Sequence, residues 1–393
     1  MTNALTMEST VGEVYNTPIG HDILFKILMQ VGKPEFTITN PLVSHMKLKQ
    51  IAPLTKRILD EGFWDAFLNI INSEHARPAL GEEPVQPKWW KEAVFYQVYP
   101  RTFYDTNGDG VGDLKGITEK LDYLKDLGIN AVWLSPIYDS PMDDNGYDIR
   151  DYQKINEDFG TMEDFDELLH GIHDRGMYLI MDLVVNHTSD EHVWFQQAIS
   201  SSDNLYRDYY FIRSNSAKAP NNWTSFFAGN AWDQYGEQND WALHLFAKKQ
   251  IDLNWDNPQV RKSVENMVNW WLEKGVDGFR MDVINYISKA EGLPQGDLSI
   301  GKLMGYTGIE HYFYGQHLHK YLHEIHENCF EPHNAFSIGE TPGLGIQMCQ
   351  LVTGEERHEL DMVFSFDHLE TPGHVRWDDY VYDLNYYRDY MID

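Results

Sequence analysis

The sequence of 393 residues predicts an α/β fold. We expect a (β/α)8 TIM barrel that is incomplete, with about six strands present, a small subdomain inserted after the third strand and an N-terminal helical extension. Two observations predict this fold. From Trp89 onward, short apolar runs alternate with amphipathic helical patterns, as in βα units whose parallel sheet is buried on both faces. Polar residues end several of these runs, which is where a barrel builds its site.

The N-terminal extension is assigned to residues 1–75. Its stretches "HDILFKILMQVG" and "LTKRILDEGFWDAFLNIINSE" place apolar residues at three- and four-residue spacing, the pattern of amphipathic helices. We expect these helices to cap the barrel, and a module for oligomerisation or partner docking is the alternative. Residues 76–88, which are rich in proline and charge, are predicted to form a linker.

The barrel begins with residues 89–187, in which "AVFYQVY", "NAVWLSP" and "YLIMDLVVN" are the predicted strands. Residues 188–257, rich in aromatic residues and asparagine, are assigned to the inserted subdomain B. Residues 258–393 continue the barrel with the strands "VDGFRMD", "AFSIGE" and "DMVFSF". Because six strands of an eight-strand design leave two open edges, we expect a truncated barrel that does not turn over substrate as it stands.

Charge and composition narrow the class of partner. A net charge of −30 and a pI near 4.8 disfavour nucleic acid and anionic membranes, so a neutral or cationic substrate is expected. The two cysteines, Cys329 and Cys349, are too few for a disulfide framework. With no membrane-length apolar run and no signal-peptide pattern, we expect a cytoplasmic protein. No organic cofactor is expected. The oligomeric state is left open.

Two acidic residues at predicted strand ends point to paired-carboxyl chemistry. In "GVDGFRMDVIN", Arg280 and Asp282 lie on the same face of a strand, and a nearby cation keeps a carboxylate ionised. Glu340 has no neighbouring cation in the sequence, so apolar surroundings are expected to keep it protonated. One acid at a strand end is usually a helix cap, but several are not explained that way. Glycosidases use one charged and one neutral carboxyl, about 5–6 Å apart in retaining enzymes.

The stretch "DTNGDGVGD" has the spacing of a calcium-binding loop. Oxygen ligands are expected at alternate positions, as in an EF-hand, with Gly110 at the turn; the five ligands would be Asp105, Asn107, Asp109, the carbonyl of Val111, and Asp113. The bidentate glutamate of an EF-hand is missing, because Gly116 stands at its position. The alternative is a turn rich in glycine and aspartate that binds nothing.

Four motifs carry a resemblance to a known family. "DLVVNH", "QIDLNW", "GFRMDVIN" and "SIGET", in this order, resemble conserved regions of the α-amylase family of glycoside hydrolases (family 13), over Trp89 to about Asp393. "AVFYQVYPRTFYDTNGDGVGDLKGI" and "SPMDDNGYDIRDY" are similar to segments of its oligo-1,6-glucosidases and dextran glucosidases. The family's last motif, an Asn-His-Asp triplet after the seventh strand, has no counterpart here.

The resemblance implies a retaining, exo-acting α-glucosidase that cleaves terminal α-1,6-linked glucose from isomalto-oligosaccharides. Asp282 would attack the anomeric carbon, Glu340 would act as acid and then as base, and Arg280 would hold the nucleophile. Val283, directly after the nucleophile, implies the α-1,6 linkage. The resemblance also implies a structural calcium in the loop described above. It assigns binding of the terminal glucose to Asp148, Tyr147, His187 and Asp182.

Two other classes of function remain open from the sequence. The first is an α-1,4-glucosidase or a glucosyl-transferring relative of the trehalose synthase or sucrose isomerase type. The second is a catalytically inactive carbohydrate-binding protein, which the missing triplet favours. The presence of Asp282, Glu340 and Arg280 argues against the inactive protein, because it would have no need of them.

Overall fold

The computed structural model describes residues 4–73, 87–364, 366–369, 379 and 381–392. Most of the predicted linker, residues 76–86, lies outside these ranges. Within the described residues, no helix is both long and apolar enough to cross a membrane.

A parallel sheet of six strands forms the centre of the molecule, and its strands follow one another in chain order. Short runs rich in apolar residues form these strands, and the four inner strands are mostly buried, whereas the two edge strands are partly exposed. The predicted fold, an incomplete (β/α)8 barrel, is confirmed. The strands are β1 (Phe95–Val98), β2 (Ala131–Leu134), β3 (Tyr178–Leu183), β4 (Gly278–Met281), β5 (Phe336–Glu340) and β6 (Met362–Phe364).

Helices follow the strands, as the alternating pattern predicts. The longest, Pro258–Lys274, begins with the side chain of Asn257 as its N-cap and ends at Gly275, whose φ of 108° is left-handed. The other α-helices of the barrel part are Pro100–Phe103, Leu114–Glu119, Leu121–Asp126, Met162–Asp174, Leu298–Met304, Leu318–Ile325, Glu331–His333, Ile346–Thr353 and Leu384–Ile392.

The segment between β3 and the helix Pro258–Lys274 contains short antiparallel sheets, together with the helix Val193–Ser200. One sheet pairs His187–Ser189 with Gln250–Asp252, so the first and last strands of the insertion meet. The other joins Ile212–Arg213, Trp232–Tyr235 and Asp240–Leu243.

The N-terminal block, residues 4–73, is helical and shares the main hydrophobic core with the barrel. The second predicted helix is shorter than the pattern indicated, because Asp60 accepts a hydrogen bond from the amide of Phe63 and a separate helix begins at Glu61. Two helices of the block pack against the helices Leu298–Met304 and Ile346–Thr353. The helices of the block are Val11–Tyr15, Pro18–Gln30, Phe36–Thr39, Pro41–Ser44, Leu48–Thr55 and Glu61–Ser73.

Candidate active site

Arg280 is the centre of a buried cluster at the carboxyl ends of β3, β4 and β5. Its Nη1 donates to Asp182 Oδ1 at 2.8 Å and to Asp282 Oδ1 at 2.6 Å. Its Nη2 donates to Glu340 Oε2. Arg280 and Asp182 are partners in the register of β4 and β3, so their side chains leave the sheet on the same face. One guanidinium therefore reaches both carboxyls that the sequence singled out, which brings Asp282 and Glu340 close together.

The surroundings of Glu340 differ from the sequence-based expectation in one respect. No cation neighbours it in the sequence, but Arg280 contacts it in the structure. Burial nevertheless raises the pKa of Glu340 to about 8, and the negative charge of Asp282 adds to the effect, while Arg280 opposes both. Glu340 is therefore protonated at neutral pH. The expectation was a protonated Glu340 with no cation nearby, whereas in the structure its pKa is raised although Arg280 contacts it.

Asp182 lies deepest in the cluster, and its side chain has no exposed surface. Besides Arg280, it accepts hydrogen bonds from Trp133 Nε1 at 3.1 Å and from the Tyr147 hydroxyl at 3.2 Å. Burial raises the pKa of Asp182 to about 6, although Arg280 opposes the shift. Burial also raises the pKa of Tyr147, so its hydroxyl stays neutral. Trp133, which the sequence did not single out, covers one side of the Arg280 guanidinium.

Val283 has a left-handed backbone with a φ of 38°, which is unfavourable for a β-branched residue. Strain of this kind costs of order 1–3 kcal/mol and is concentrated at functional sites. The conformation directs the amide of Val283 at Glu340 Oε2, 3.3 Å away. Val283 therefore follows Asp282 directly in the chain and contacts Glu340 through its backbone amide.

His187 and Asp144 lie on the other side of the site and are joined through Gln250. Gln250 Nε2 is 2.8 Å from Asp144 Oδ2 and 3.1 Å from His187 Nε2. Burial lowers the pKa of His187, so its ring is neutral at pH 7. Burial raises the pKa of Asp144 to about 6, and the charge of Asp282 contributes. The sequence analysis missed Asp144, although it lies in the quoted motif "SPMDDNGYDIRDY".

Asp148 is placed differently from what the resemblance implied. It has no exposed surface. Its carboxylate accepts hydrogen bonds from Ser140 Oγ at 3.0 Å, from the amide of Asp143 at 2.9 Å and from the amide of Asp144 at 3.0 Å. Through these hydrogen bonds, Asp148 stabilises the turn that presents Asp144 and Tyr147. Because Asp148 is fully buried, the structure does not support its direct contact with a ligand.

A second buried ion pair, which the sequence analysis also missed, lies behind His187. Lys289 Nζ is 2.7 Å from Asp252 Oδ2, and neither side chain has exposed surface. Lys289 also donates to Asn186 Oδ1 at 2.8 Å, and Asn186 Nδ2 lies 3.2 Å from His187 Nδ1. The one feature of the sequence that could have indicated this ion pair is Asp252, an aspartate inside the apolar run "QIDLNW". This pair fixes the residues that surround His187.

The predicted calcium loop follows β1 and folds around its own side chains. Asp105 accepts hydrogen bonds from the amides of Gly108 at 2.7 Å and Gly110 at 2.9 Å, which lower its pKa. Both oxygens of Asp113 are occupied by Thr106 and by the amide of Gly116. Among the described residues, no group of three or more His, Cys, Asp or Glu side chains is placed to hold a metal ion.

Comparisons with known proteins place this geometry in context. A model of the α-amylase catalytic domain matches residues 97–387. The oligo-1,6-glucosidase of Bacillus cereus is 57% identical over 289 residues, which are 73% of this chain and 51% of the relative. The chain thus spans about half the length of the curated relatives it matches.

Two solved structures are similar in fold. A crystal structure of the trehalose-6-phosphate hydrolase of Bacillus licheniformis has a TM-score of 0.73 and 46% identity, over 77% of this chain and 54% of that one. The isomaltulose synthase of Protaminobacter rubrum has a TM-score of 0.72 and 44% identity, over 78% of this chain and 55% of that one. With the catalytic-domain model matching most of its length, this chain belongs to the α-amylase family of glycoside hydrolases.

Proposed function

We propose that this protein is a retaining, exo-acting α-glucosidase that removes terminal α-1,6-linked glucose from isomalto-oligosaccharides. The observation that carries the proposal is the contact of Arg280 with both Asp282 and Glu340, together with the raised pKa of Glu340. A retaining glycosidase needs an ionised nucleophile close to a protonated acid. The identity to an oligo-1,6-glucosidase supports the choice of linkage.

In the proposed mechanism, Asp282 attacks the anomeric carbon while Glu340 donates its proton to the leaving glycosidic oxygen. The carbon–oxygen bond breaks, and the glucosyl group becomes an ester of Asp282. Glu340, now ionised, takes a proton from water as the water attacks the same carbon, which releases glucose and restores both carboxyls. Arg280 orients both groups. The low polarity around them strengthens the electrostatic interaction of Arg280 with the two carboxyls.

We assign the terminal glucose to the pocket bordered by Tyr147, His187 and Asp144. Tyr147 offers a hydroxyl, His187 a neutral ring nitrogen and Asp144 a carboxyl, and each of these groups can bind sugar hydroxyls near Asp282. Asp144 takes the role that the resemblance gave to Asp148, because Asp144 is partly exposed whereas Asp148 is fully buried. Asp182 acts through Arg280 and Tyr147, whose side chains it orients by accepting a hydrogen bond from each.

The test measures turnover by two proteins, the 393-residue chain and a chimera. In the chimera, the 393-residue chain is followed by the part of the Bacillus cereus oligo-1,6-glucosidase that lies C-terminal to the matched region. We expect little turnover by the chain alone, because the sequence has no counterpart of the family's third carboxylate, and a group that stabilises the transition state affects kcat strongly. The chimera should hydrolyse isomaltose. Preference for trehalose 6-phosphate, or conversion of sucrose to an isomer, would contradict the proposed substrate.

Val283→Ala is expected to reduce the preference for isomaltose over maltose. The branched side chain narrows the space beyond the cleaved bond, where an α-1,4 partner needs more room. A steric difference of this size is worth about 1–3 kcal/mol, or roughly tenfold to a couple of hundredfold in selectivity. The measurement is kcat/KM of the chimera for both sugars. Val283→Ile, which keeps the branch, is the matched control, and equal kcat/KM for both sugars before mutation would contradict the prediction.

We also propose that Asp105, Asn107, Asp109 and the Val111 carbonyl hold a structural calcium ion. Two carboxylates, an amide oxygen and a carbonyl at alternate positions suit this cation, which prefers oxygen ligands. The lowered pKa of Asp105 keeps one carboxylate ionised. Asp113, which is buried and caps the helix Leu114–Glu119, would support the loop rather than bind the ion.

Calcium is therefore expected to raise the Tm of the chain by a few degrees, because a ligand bound only by the folded state stabilises it. The measurement is thermal unfolding in EDTA and in millimolar calcium chloride. Asp105→Ala should abolish the difference, whereas Asp126→Ala, an exposed acid outside the loop, should preserve it. A chain whose Tm is the same in EDTA and in calcium would rule out the site.

The remaining expectations stay proposals. We propose that the protein acts in the cytoplasm on small oligosaccharides, on the basis of its charge and cysteine content. We likewise keep the division into the N-terminal extension, the inserted subdomain and the two barrel parts. The contact of the N-terminal block with the barrel supports the interpretation of that block as a cap.

A further inference from the structure

The N-terminal block contacts the barrel at the beginning of the helix Ile346–Thr353. Asp22, in the helix Pro18–Gln30, is 8% exposed, and its Oδ2 accepts a hydrogen bond from the amide of Met348 at 2.6 Å. The N-cap position of the barrel helix is Gly345, which has no side chain with which to cap it. The cap is therefore supplied by a residue 326 positions away from Met348 in the chain.

The barrel side of this contact is shaped to receive the carboxylate. A Cβ atom at Gly345 would lie 2.4 Å from Asp22 Cγ, which is closer than such atoms approach. Glycine at this position therefore allows Asp22 to reach the helix. His21 Nδ1 lies 2.9 Å from Asp22 Oδ1, so the other oxygen is also engaged.

The capped helix is joined to Glu340 by a short, tightly held loop. β5 ends at Glu340, and the helix begins six residues later at Ile346. In this loop, Thr341 and Leu344 are buried. The carbonyl of Pro342 accepts hydrogen bonds from Asn285 Nδ2 at 3.3 Å and from the Tyr286 hydroxyl at 3.4 Å. Both ends of the loop are thus fixed, one by the sheet and the other by Asp22.

We propose that Asp22 is a positioning residue for Glu340, and that the N-terminal block thereby takes part in the site. This inference rests on the proposed function, in which Glu340 is the acid. The family model begins at residue 97, so Asp22 lies outside the matched domain. The path of contacts runs from Asp22 through the helix Ile346–Thr353 and the loop at Pro342 to Glu340 and, through Asn285, to the segment after Asp282.

The test compares Asp22→Ala with Asp22→Asn, whose amide oxygen can still accept the hydrogen bond of Met348. Asp22→Ala should increase hydrogen exchange of residues 341–350 in the 393-residue chain. In the chimera it should lower kcat about tenfold with KM nearly unchanged, because a small displacement of a catalytic group affects the chemical step. Asp22→Asn should keep both the hydrogen exchange of residues 341–350 and kcat close to those of the parent. In Gly345→Ala, the added methyl group should displace the Asp22 carboxylate from the amide of Met348. This variant should therefore show the same changes in hydrogen exchange and kcat as Asp22→Ala.

Asp60→Ala is the matched control for a general loosening of the N-terminal block. Asp60 Oδ2 accepts a hydrogen bond from Ser299 Oγ at 2.5 Å and so forms another polar contact between the block and a barrel helix. The helix that carries Ser299 lies farther along the chain from the catalytic carboxyls. Asp60→Ala should increase exchange around residues 297–304, with kcat within about twofold of the parent chimera.

Two results would overturn the proposal. One is increased exchange of residues 341–350 in Asp22→Ala with kcat unchanged, and the other is an equal loss of kcat in Asp60→Ala. The affinity of the parent chimera for 1-deoxynojirimycin, a glucose-like amine, separates this proposal from the proposed function. A parent chimera without turnover or affinity for this probe defeats the proposed function. If the parent chimera has both turnover and affinity for the probe, and Asp22→Ala leaves both unchanged, only the proposed role of Asp22 is contradicted.

Discussion

Replacement of Asp282 by asparagine is expected to lower kcat of the chimera by about 10⁴-fold or more. The amide keeps the shape of the side chain but cannot form the glucosyl ester, so the route through a covalent intermediate is closed. The hydrogen bond from Arg280 Nη1, 2.6 Å long in the structure, loses its charged acceptor as well. Mass spectrometry after treatment with a fluorosugar substrate should find the parent labelled on Asp282 and the variant unlabelled.

Two controls make this result specific. Glu291→Gln, an exposed acid in the segment after β4, should leave kcat and labelling unchanged. The affinity of Asp282→Asn for isomaltose should stay within about tenfold of the parent, because the nucleophile serves the transition state more than the bound substrate. Labelling of the variant at another carboxyl would show that the nucleophile has been misassigned.

The residues of this cluster were predictable from the sequence where local periodicity decides the geometry. Alternation along β4 places Arg280 and Asp282 on one face, and the structure joins them. The ends of the strands were also predictable, because parallel strands bring their carboxyl ends to one edge of the sheet. For this reason the sequence alone suffices to group Asp182, Asp282 and Glu340.

What the sequence could not predict depends on register and on turn geometry. Arg280 reaches Glu340 although its register partner on β5 is Ile338, two residues earlier. Asp144 and Asp148 lie four residues apart in one motif, and only the folded turn shows which of them faces the site. The capping of Ile346–Thr353 by Asp22 joins distant parts of the chain, which no local pattern can reveal.

Replacement of Glu340 by glutamine is expected to lower kcat for isomaltose by about 10²- to 10⁴-fold, the usual contribution of a general acid. Aryl α-glucosides with good leaving groups need less protonation, so their first step should be less affected. The parent chimera should lose kcat as the pH rises through about 8, where Glu340 gives up its proton. That alkaline limb should be absent from the residual rate of the variant.

The same pKa predicts an effect on stability. Folding raises the pKa of Glu340 from its ordinary value of 4.5 to about 8. The contribution of this group to stability is therefore fully present below about pH 4.5 and is lost as the pH rises towards 8, because the unfolded chain releases this proton in that range while the folded protein retains it beside Asp282. At its full extent the loss amounts to about 3–5 kcal/mol. Glutamine cannot ionise and escapes it.

Thermal unfolding of the 393-residue chain from pH 5 to pH 9 measures this effect without any need for turnover. The Tm of the parent should fall over this range by several degrees more than the Tm of Glu340→Gln. Asp282→Asn should also reduce the fall, because it removes the charge that opposes ionisation of Glu340. If the parent and Glu340→Gln lose stability in parallel, Glu340 is already ionised at neutral pH. It could not then donate a proton, and the assignment of the acid would have to move to another carboxyl near the site, with the partly exposed Asp144, whose pKa is also raised, as the first to test.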